Sequence, residues 1–408
     1  MEAKNKEQIK DLLNEYLFLY HSKRNKKLKK YWKEKPSGFA VNLFRPDEAR
    51  NFQNTGTIPV VVNPCETIFT YLYGYSLKDY YTDPTVYLEM YLRQRIDQFN
   101  IIRDDSCLRD EIPIWLGSYY EHSFFNIKSI YSDTETPRPE FKIVISERKD
   151  LEKFQNIDFA TTGHGPLAIK FYEIISDYTE GTGLKVTMPY YNRGPFGILS
   201  ILMGFDKLFI KAYDDSDFIK DAISIINKVS IDYEKWINKV YGSPLGPKAI
   251  YNDDVSCPIL SPDFYKTFVF PAEKELEKKY GSFSYWHSCG NCNDLIPTIK
   301  KLKIESMNVS MVGDLDKYTK AFGNNTSYEI CVHPIEEVLN ASPIKMSMKL
   351  DNILSTCDKN KIKAFSIMAS ALEGTGRKNI LSDLKRMLTW LEIARSKVNE
   401  YVSMKELK

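Results

Sequence analysis

No stretch of this sequence stays apolar for long enough to cross a bilayer. Its opening, MEAKNKEQIKDLLNEYLF, lacks the unbroken apolar core and small-residue cleavage site of a secretion signal. Neither sign of charge dominates: 56 basic against 54 acidic side chains leave a net charge of +2, with no global pull toward nucleic acid or a membrane surface. A Walker A loop is absent, as is the nucleophile elbow of serine hydrolases. Gly163-His164-Gly165-Pro166-Leu167-Ala168 imitates a dinucleotide-binding turn, but no convincing strand precedes it and Pro166 removes an amide donor, so the match is read as chance. The 7 cysteines are odd in number and widely spaced, which argues for reduced thiols or metal ligands and against a disulfide frame. These absences set the expectation of a cytoplasmic protein that acts on a small molecule and has no nucleic-acid or membrane partner.

What is present is globular. Hydrophobic residues make up 43% of 408, enough for a large core, and 27 Tyr with 22 Phe exceed what a core alone asks for, so part of them can line a pocket. Eight short apolar runs alternate with helical stretches: 58–64, 112–121, 184–195, 248–256, 283–290, 304–310, 326–334 and 362–370. Such alternation argues for a parallel sheet, and eight units favour a closed TIM (β/α)8 barrel of the α/β class over an open sheet. Ser261-Pro262 and Pro334 have the form of helix starts, and a final helix is expected over about 378–402 with Leu381, Leu384, Leu388, Leu391 and Ile393 as its apolar face. Residues 1–45 read as an N-terminal helical arm, strongly basic over 21–35, and 46–408 as a single barrel. The stretch 125–182 is longer than one barrel connection needs and reads as an insertion over one end.

The residues that could carry chemistry sit at the ends of these runs, where TIM barrels place their active sites. His287 and Cys289 end the fifth run two residues apart, on one face of a strand, an imidazole and a thiol suited to zinc. Cys292 follows the turn, and Cys331 with His333 repeats the pattern at the seventh run, so either cysteine could supply a further ligand. Asp253 and Asp254 end the fourth run; alternation sends one inward as an acid, a base or a support for a metal ligand. Tyr191 and Arg193 end the third, where an arginine beside a tyrosine suits a carboxylate or phosphate. Glu121, Asn308 and His333 are further candidates for holding substrate. For each, a bland role is at hand: buried thiols, capping acids, a backbone-bonded histidine.

The segment DDVSCPILSPDFYKTFVFPAEKELEKKYGSFSYWHSCGNCNDLIP resembles the core of the uroporphyrinogen decarboxylase superfamily, with its paired acids, "ISPELY"-like helix start and "HSCGN". GPFGILSILMGFDKLFIKAYDD, CVHP and EGTGRKNI agree in order, so the likeness covers roughly 185–400. It implies a TIM barrel with ligands at the strand C-termini. The decarboxylase branch handles substrate carboxylates with an arginine after the first strand; here IPVVVNPCETIF has none. The cobalamin-linked methyltransferase branch binds zinc through a His-x-Cys pair, matched by His287 and Cys289, and a distant Cys that would fall near Ala369 or Ser370 and is missing. The third ligand is then expected to be Cys331, or else Cys292. By this resemblance the chain moves a methyl group between a cobamide, held by a partner corrinoid protein, and a thiol or other small acceptor. The alternatives are a metal-free lyase on a carboxylated, tetrapyrrole-like substrate, and a corrinoid- or tetrapyrrole-binding protein without activity.

Overall fold

The structure, a computed structural model, describes residues 2–33, 48–246 and 248–406. The barrel strands run in chain order as β1 (Val60–Pro64), β2 (Glu111–Pro113), β3 (Lys185–Thr187), β4 (Lys248–Tyr251), β5 (Phe283–His287), β6 (Ser306–Val309), β7 (Ser327–Val332) and β8 (Phe365–Leu372). Six of them form one parallel sheet in the order β1-β8-β7-β6-β5-β4, and β2 pairs with β3 in a separate parallel ribbon. The fold is a TIM barrel. β7 is buried along its whole length, as a strand covered on both faces must be, and its tyrosine, isoleucine and valine sit among polar residues that point inward.

The two parts of the wall meet in different ways. Beyond β3, Arg193 bridges Tyr251 in parallel. On the other edge, side chains flank a backbone bond from Asp105 N to Val60 O at 3.0 Å: Val60 N donates to Asp105 Oδ2 at 2.8 Å and Val62 N to Asp104 Oδ2 at 2.9 Å. Gln98 Nε2 completes the seam on Val62 O at 2.8 Å, so edge amides that would cost free energy if left bare are satisfied.

Helices wrap the outside. Ser261 caps its helix by accepting from Phe264 N, Pro262 fills the first turn, and the helix runs through a π turn (Tyr265–Val269) to Tyr280, where Gly281 at φ +86° ends it. Pro334–Leu339 opens as expected. The last helix spans Ile380–Glu406, but its buried stripe is Met387, Trp390, Leu391, Ala394 and Val398, while Leu381 is 75% exposed. Which face turns inward is set by the barrel beneath, and the expected stripe was rotated from it. Within 125–182 lie a small antiparallel pair (Ser129–Ile130 with Arg138–Pro139) and the helix Gly165–Thr179, which is the crossover from β2 to β3.

The N-terminal helices are docked. Tyr16 OH donates to Arg109 O at 2.9 Å, and Asn25 grips Leu108 through both its amide and its carbonyl. The end of the basic segment 21–35, and the boundary expected near residue 45, lie outside the described residues. Among the described residues no helix is long and apolar enough to cross a membrane.

Candidate metal centre

Parallel pairing places Tyr251 opposite His287. Counting two residues on from each brings Asp253 across from Cys289. The three donor atoms form a compact triangle: Asp253 Oδ1 to His287 Nε2 is 3.2 Å, His287 Nε2 to Cys289 Sγ 3.1 Å, and Cys289 Sγ to Asp253 Oδ1 3.5 Å. For ligands about 2.0–2.3 Å from a tetrahedral zinc, ligand-to-ligand edges come to roughly 3.3–3.7 Å. One edge falls within that range and the other two within about 0.2 Å below it, and an oxygen, a nitrogen and a sulfur donor form a set that zinc accepts. Three protein ligands would leave one tetrahedral position open.

Cys331 and Cys292 stand outside this group among the described residues. Cys331 Sγ takes the Asn308 amide at 3.3 Å, beside Glu329. Cys292 is fully buried, its Sγ donates to Val255 O at 3.0 Å, and burial pushes its thiol up to about 12, which disfavours a ligating thiolate. The group that the structure brings together thus has Asp253 beside His287 and Cys289, and neither Cys331 nor Cys292 joins it among the described residues.

The paired acids also depart from strand alternation. β4 ends at Tyr251, so Asp253 and Asp254 lie in a turn and both face Arg193. Arg193 Nη1 is 3.0 Å from Asp253 Oδ2 and Nη2 is 2.6 Å from Asp254 Oδ2. At 3% exposure, with Tyr119 under its guanidinium, Arg193 is an internal tie and not an open carboxylate receptor. Tyr191 OH donates to the same Asp253 Oδ2 at 2.9 Å. Burial raises the Asp253 pKa, but His287, Arg193 and Tyr191 outweigh it and hold the carboxyl well below the usual range. Oδ2 is thus engaged by the protein while Oδ1 faces His287 and Cys289.

The other expected substrate contacts hold structure. Glu121 Oε1 accepts from Tyr191 N at 2.8 Å and Asn192 N at 2.7 Å, fixing the turn that carries Arg193. His333 caps the helix after β7, its Nδ1 accepting from Ile335 N and Glu336 N at 3.2 Å. Asn308 Nδ2 donates to Glu329 Oε1 at 2.9 Å inside the barrel. Glycine is required where these loops meet: a Cβ on Gly290 would lie 2.2 Å from Ser256 Cβ, and one on Gly194 1.8 Å from Asn252 Oδ1.

Glu121 gives a pH signature. Burial lifts its pKa from 4.5 to about 7, with its Oε2 buried and without a partner. A carboxyl whose pKa rises on folding stabilises fully below its unfolded value and loses that contribution as pH climbs through its folded value. Urea unfolding of the wild type is expected to weaken between pH 4.5 and 7 by up to about 3 kcal/mol from this group. Glu121→Gln keeps the accepting oxygen and should flatten that slope; an unchanged slope in the variant would assign it elsewhere.

Beside Tyr191, which the sequence had marked, three aromatic residues that sequence reasoning missed lie near the triangle: Trp115, Tyr251 and Tyr285. Trp115, Tyr191, Tyr251 and Tyr285 form a continuous row of rings, with centroid separations of 5.4, 4.2 and 5.9 Å in that order. No period in the sequence links them, because each comes from a different strand or the loop that follows it.

Comparison with known proteins agrees with this architecture. Residues 51–362 match the family model described as Uroporphyrinogen decarboxylase (URO-D). A methyltransferase from Methanosarcina mazei superposes with a TM-score of 0.58 at 15% identity, covering 81% of this chain and 93% of that one, a likeness of fold. No curated protein matches.

Proposed function

This chain belongs to the uroporphyrinogen decarboxylase family, and from that premise we propose that it is a zinc-dependent methyltransferase working with a corrinoid protein. It would move a methyl group between a cobamide and a small acceptor such as a thiol. The observation that carries this reading is the Asp253–His287–Cys289 triangle at the barrel mouth. These three residues would hold the ion. When bound, zinc supplies a Lewis acid that lowers the pKa of a coordinated thiol or eases departure of a leaving group.

The chain's own residues prepare the place. Arg193 and Tyr191 aim Asp253, and Glu121 fixes both through their backbone turn. The buried rings of Tyr191 and Tyr251 keep water from one side of the triangle, while Cys289 lies exposed toward the mouth, where a partner protein would present its corrinoid. Decarboxylation of a polycarboxylate is the weaker reading: it wants a cation for each carboxylate, and Arg193 is committed to two acids of its own.

The test is metal content of anaerobically purified protein by mass spectrometry, beside the His287→Ala/Cys289→Ala variant. About one zinc per chain is expected, absent from the variant, with methyl transfer from methylcobalamin to a thiol lost alongside it. Turnover retained by a zinc-free variant would overturn the proposal.

A further inference from the structure

Behind the triangle a single carboxylate ties together the two segments that carry it. Glu273, on the helix Phe270–Tyr280 between β4 and β5 in the chain, is completely buried. Its Oε1 accepts from Asn252 Nδ2 at 3.0 Å, and its Oε2 accepts from Tyr265 OH at 2.8 Å and from Trp286 Nε1 at 3.1 Å. Two of these donors stand one residue before a member of the triangle: Asn252 before Asp253, and Trp286 before His287. The backbone joins the same two places, Asn252 N donating to His287 O at 2.9 Å. Successive strand residues face opposite sides, so while His287 turns to the barrel interior Trp286 turns outward, into the main core under the helices. A buried carboxylate is costly to desolvate, and an apolar side chain would hold helix to sheet without that cost. What the carboxylate adds over packing is direction: its two oxygens pin the neighbours of two ligands from one point. The Asn252 amide is closed in from behind, since its Oδ1 is buried without a partner, 1.8 Å from where a Cβ on Gly194 would lie.

We infer that Glu273 is a positioning residue for the metal site: its carboxylate sets the separation of Asp253 and His287 by holding Asn252 and Trp286. It touches neither ligand and acts through the residue before each. The inference rests on the metal reading for its effect on zinc affinity, and not for the geometry it explains. Ligands held at the right spacing before the ion arrives bind it more tightly, and loss of such outer support costs about 10–100-fold in metal affinity.

The experiment compares the full-length wild type with Glu273→Gln, Asn252→Ala and the exchange variant Asn252→Asp/Glu273→Gln, by chelator competition for zinc and by crystal structures of the metal-free proteins. In Glu273→Gln the new amide meets the Asn252 amide donor to donor, and turning Asn252 over would leave its N–H groups against Gly194 without an acceptor. Zinc affinity is expected to fall about 10–100-fold, and the 3.2 Å contact of Asp253 with His287 to open. The exchange variant again sets an acceptor against every donor, and it should recover both. Wild-type affinity in Glu273→Gln, or an exchange variant that binds zinc no better than Glu273→Gln, overturns the inference. Should Glu273→Gln fail to fold, Asn252→Ala decides, because it removes only the hold on the segment of Asp253: about a tenfold loss of affinity is expected, and none overturns the inference. A wild type that takes up no zinc removes the metal reading, and the metal-free structures still decide this inference. A contact that opens in Glu273→Gln and closes in the exchange variant upholds it; one that stays in place in Glu273→Gln overturns it.

Discussion

Asp253→Asn is expected to lower zinc affinity by about two orders of magnitude and to remove methyl transfer, while Cys331→Ser leaves both near wild type. Structural zinc sites release about 10–16 kcal/mol over four ligands, roughly 3 kcal/mol each, which corresponds to about 100-fold per ligand. Asparagine keeps the shape of the side chain and a carbonyl oxygen, so the turn that holds residues 252–254 should persist. It loses the negative charge that a zinc ion and Arg193 both face. Cys331 lies deeper, on β7, against Asn308 and Glu329, and a serine there can take the same amide hydrogen. Competition with a chromophoric chelator reads the affinity directly. A Cys331→Ser protein that loses its zinc beside an Asp253→Asn protein that keeps it would place the third ligand back on β7.

Arg193→Met should be the most destabilising single change near the site. The guanidinium is buried and neutralises two carboxylates that are themselves 19% and 21% exposed. Removing one partner of a buried pair typically costs about 3–5 kcal/mol, because the remaining charge stays behind without compensation. Here two charges stay behind. Arg193→Lys should recover part of the stability, since an ammonium can face one acid but cannot fork between both. Zinc affinity should also fall about 10–100-fold in Arg193→Met, through the loss of what orients Asp253. Urea unfolding and chelator competition together separate the two effects. A Met variant that unfolds at the wild-type midpoint would show that Asp253 and Asp254 are solvated well enough to need no counter-charge.

Much of the barrel was legible in the sequence. The β-branched run before Asn63-Pro64 marked β1, the Ser-Pro signal marked a helix start, and the eight apolar runs each contain all or part of an observed strand. Strand ends were less legible. The second and third runs continue well past β2 and β3 as irregular backbone, because the partners that end a ladder are set by the whole wall and not by the run itself. His287 and Cys289 were found because they are local, two residues apart across the end of β5. Asp253 was read as a catalytic acid or base or a support for a metal ligand, and not as a ligand itself, since its distance from Cys289 depends on the register of β4 against β5. Arg193 was taken for a substrate anchor because nothing local shows that both paired acids turn back onto it. The row of rings was illegible for the same reason: its members come from separate strands or the loops that follow them and meet only when the wall curves.

The division of that wall has a mechanical consequence. Trp115 and Tyr191 ride with the β2–β3 ribbon, whereas Tyr251, Tyr285, Asp253, His287 and Cys289 ride with the six-stranded sheet. Along one border the two leaves are latched by the carboxylates of Asp104 and Asp105, along the other by the Arg193–Tyr251 bridge and the forked grip of Arg193 on the acids. Beside these grips the borders carry scattered backbone bonds, Asp105 N to Val60 O at 3.0 Å on one side and Gly194 N to Tyr251 O at 2.8 Å on the other, and no full strand ladder among the described residues, so a few residues set how one leaf hangs against the other. The spacing between the first half of the ring row and the metal triangle is thus a dimension that this barrel can retune while every strand stays as it is.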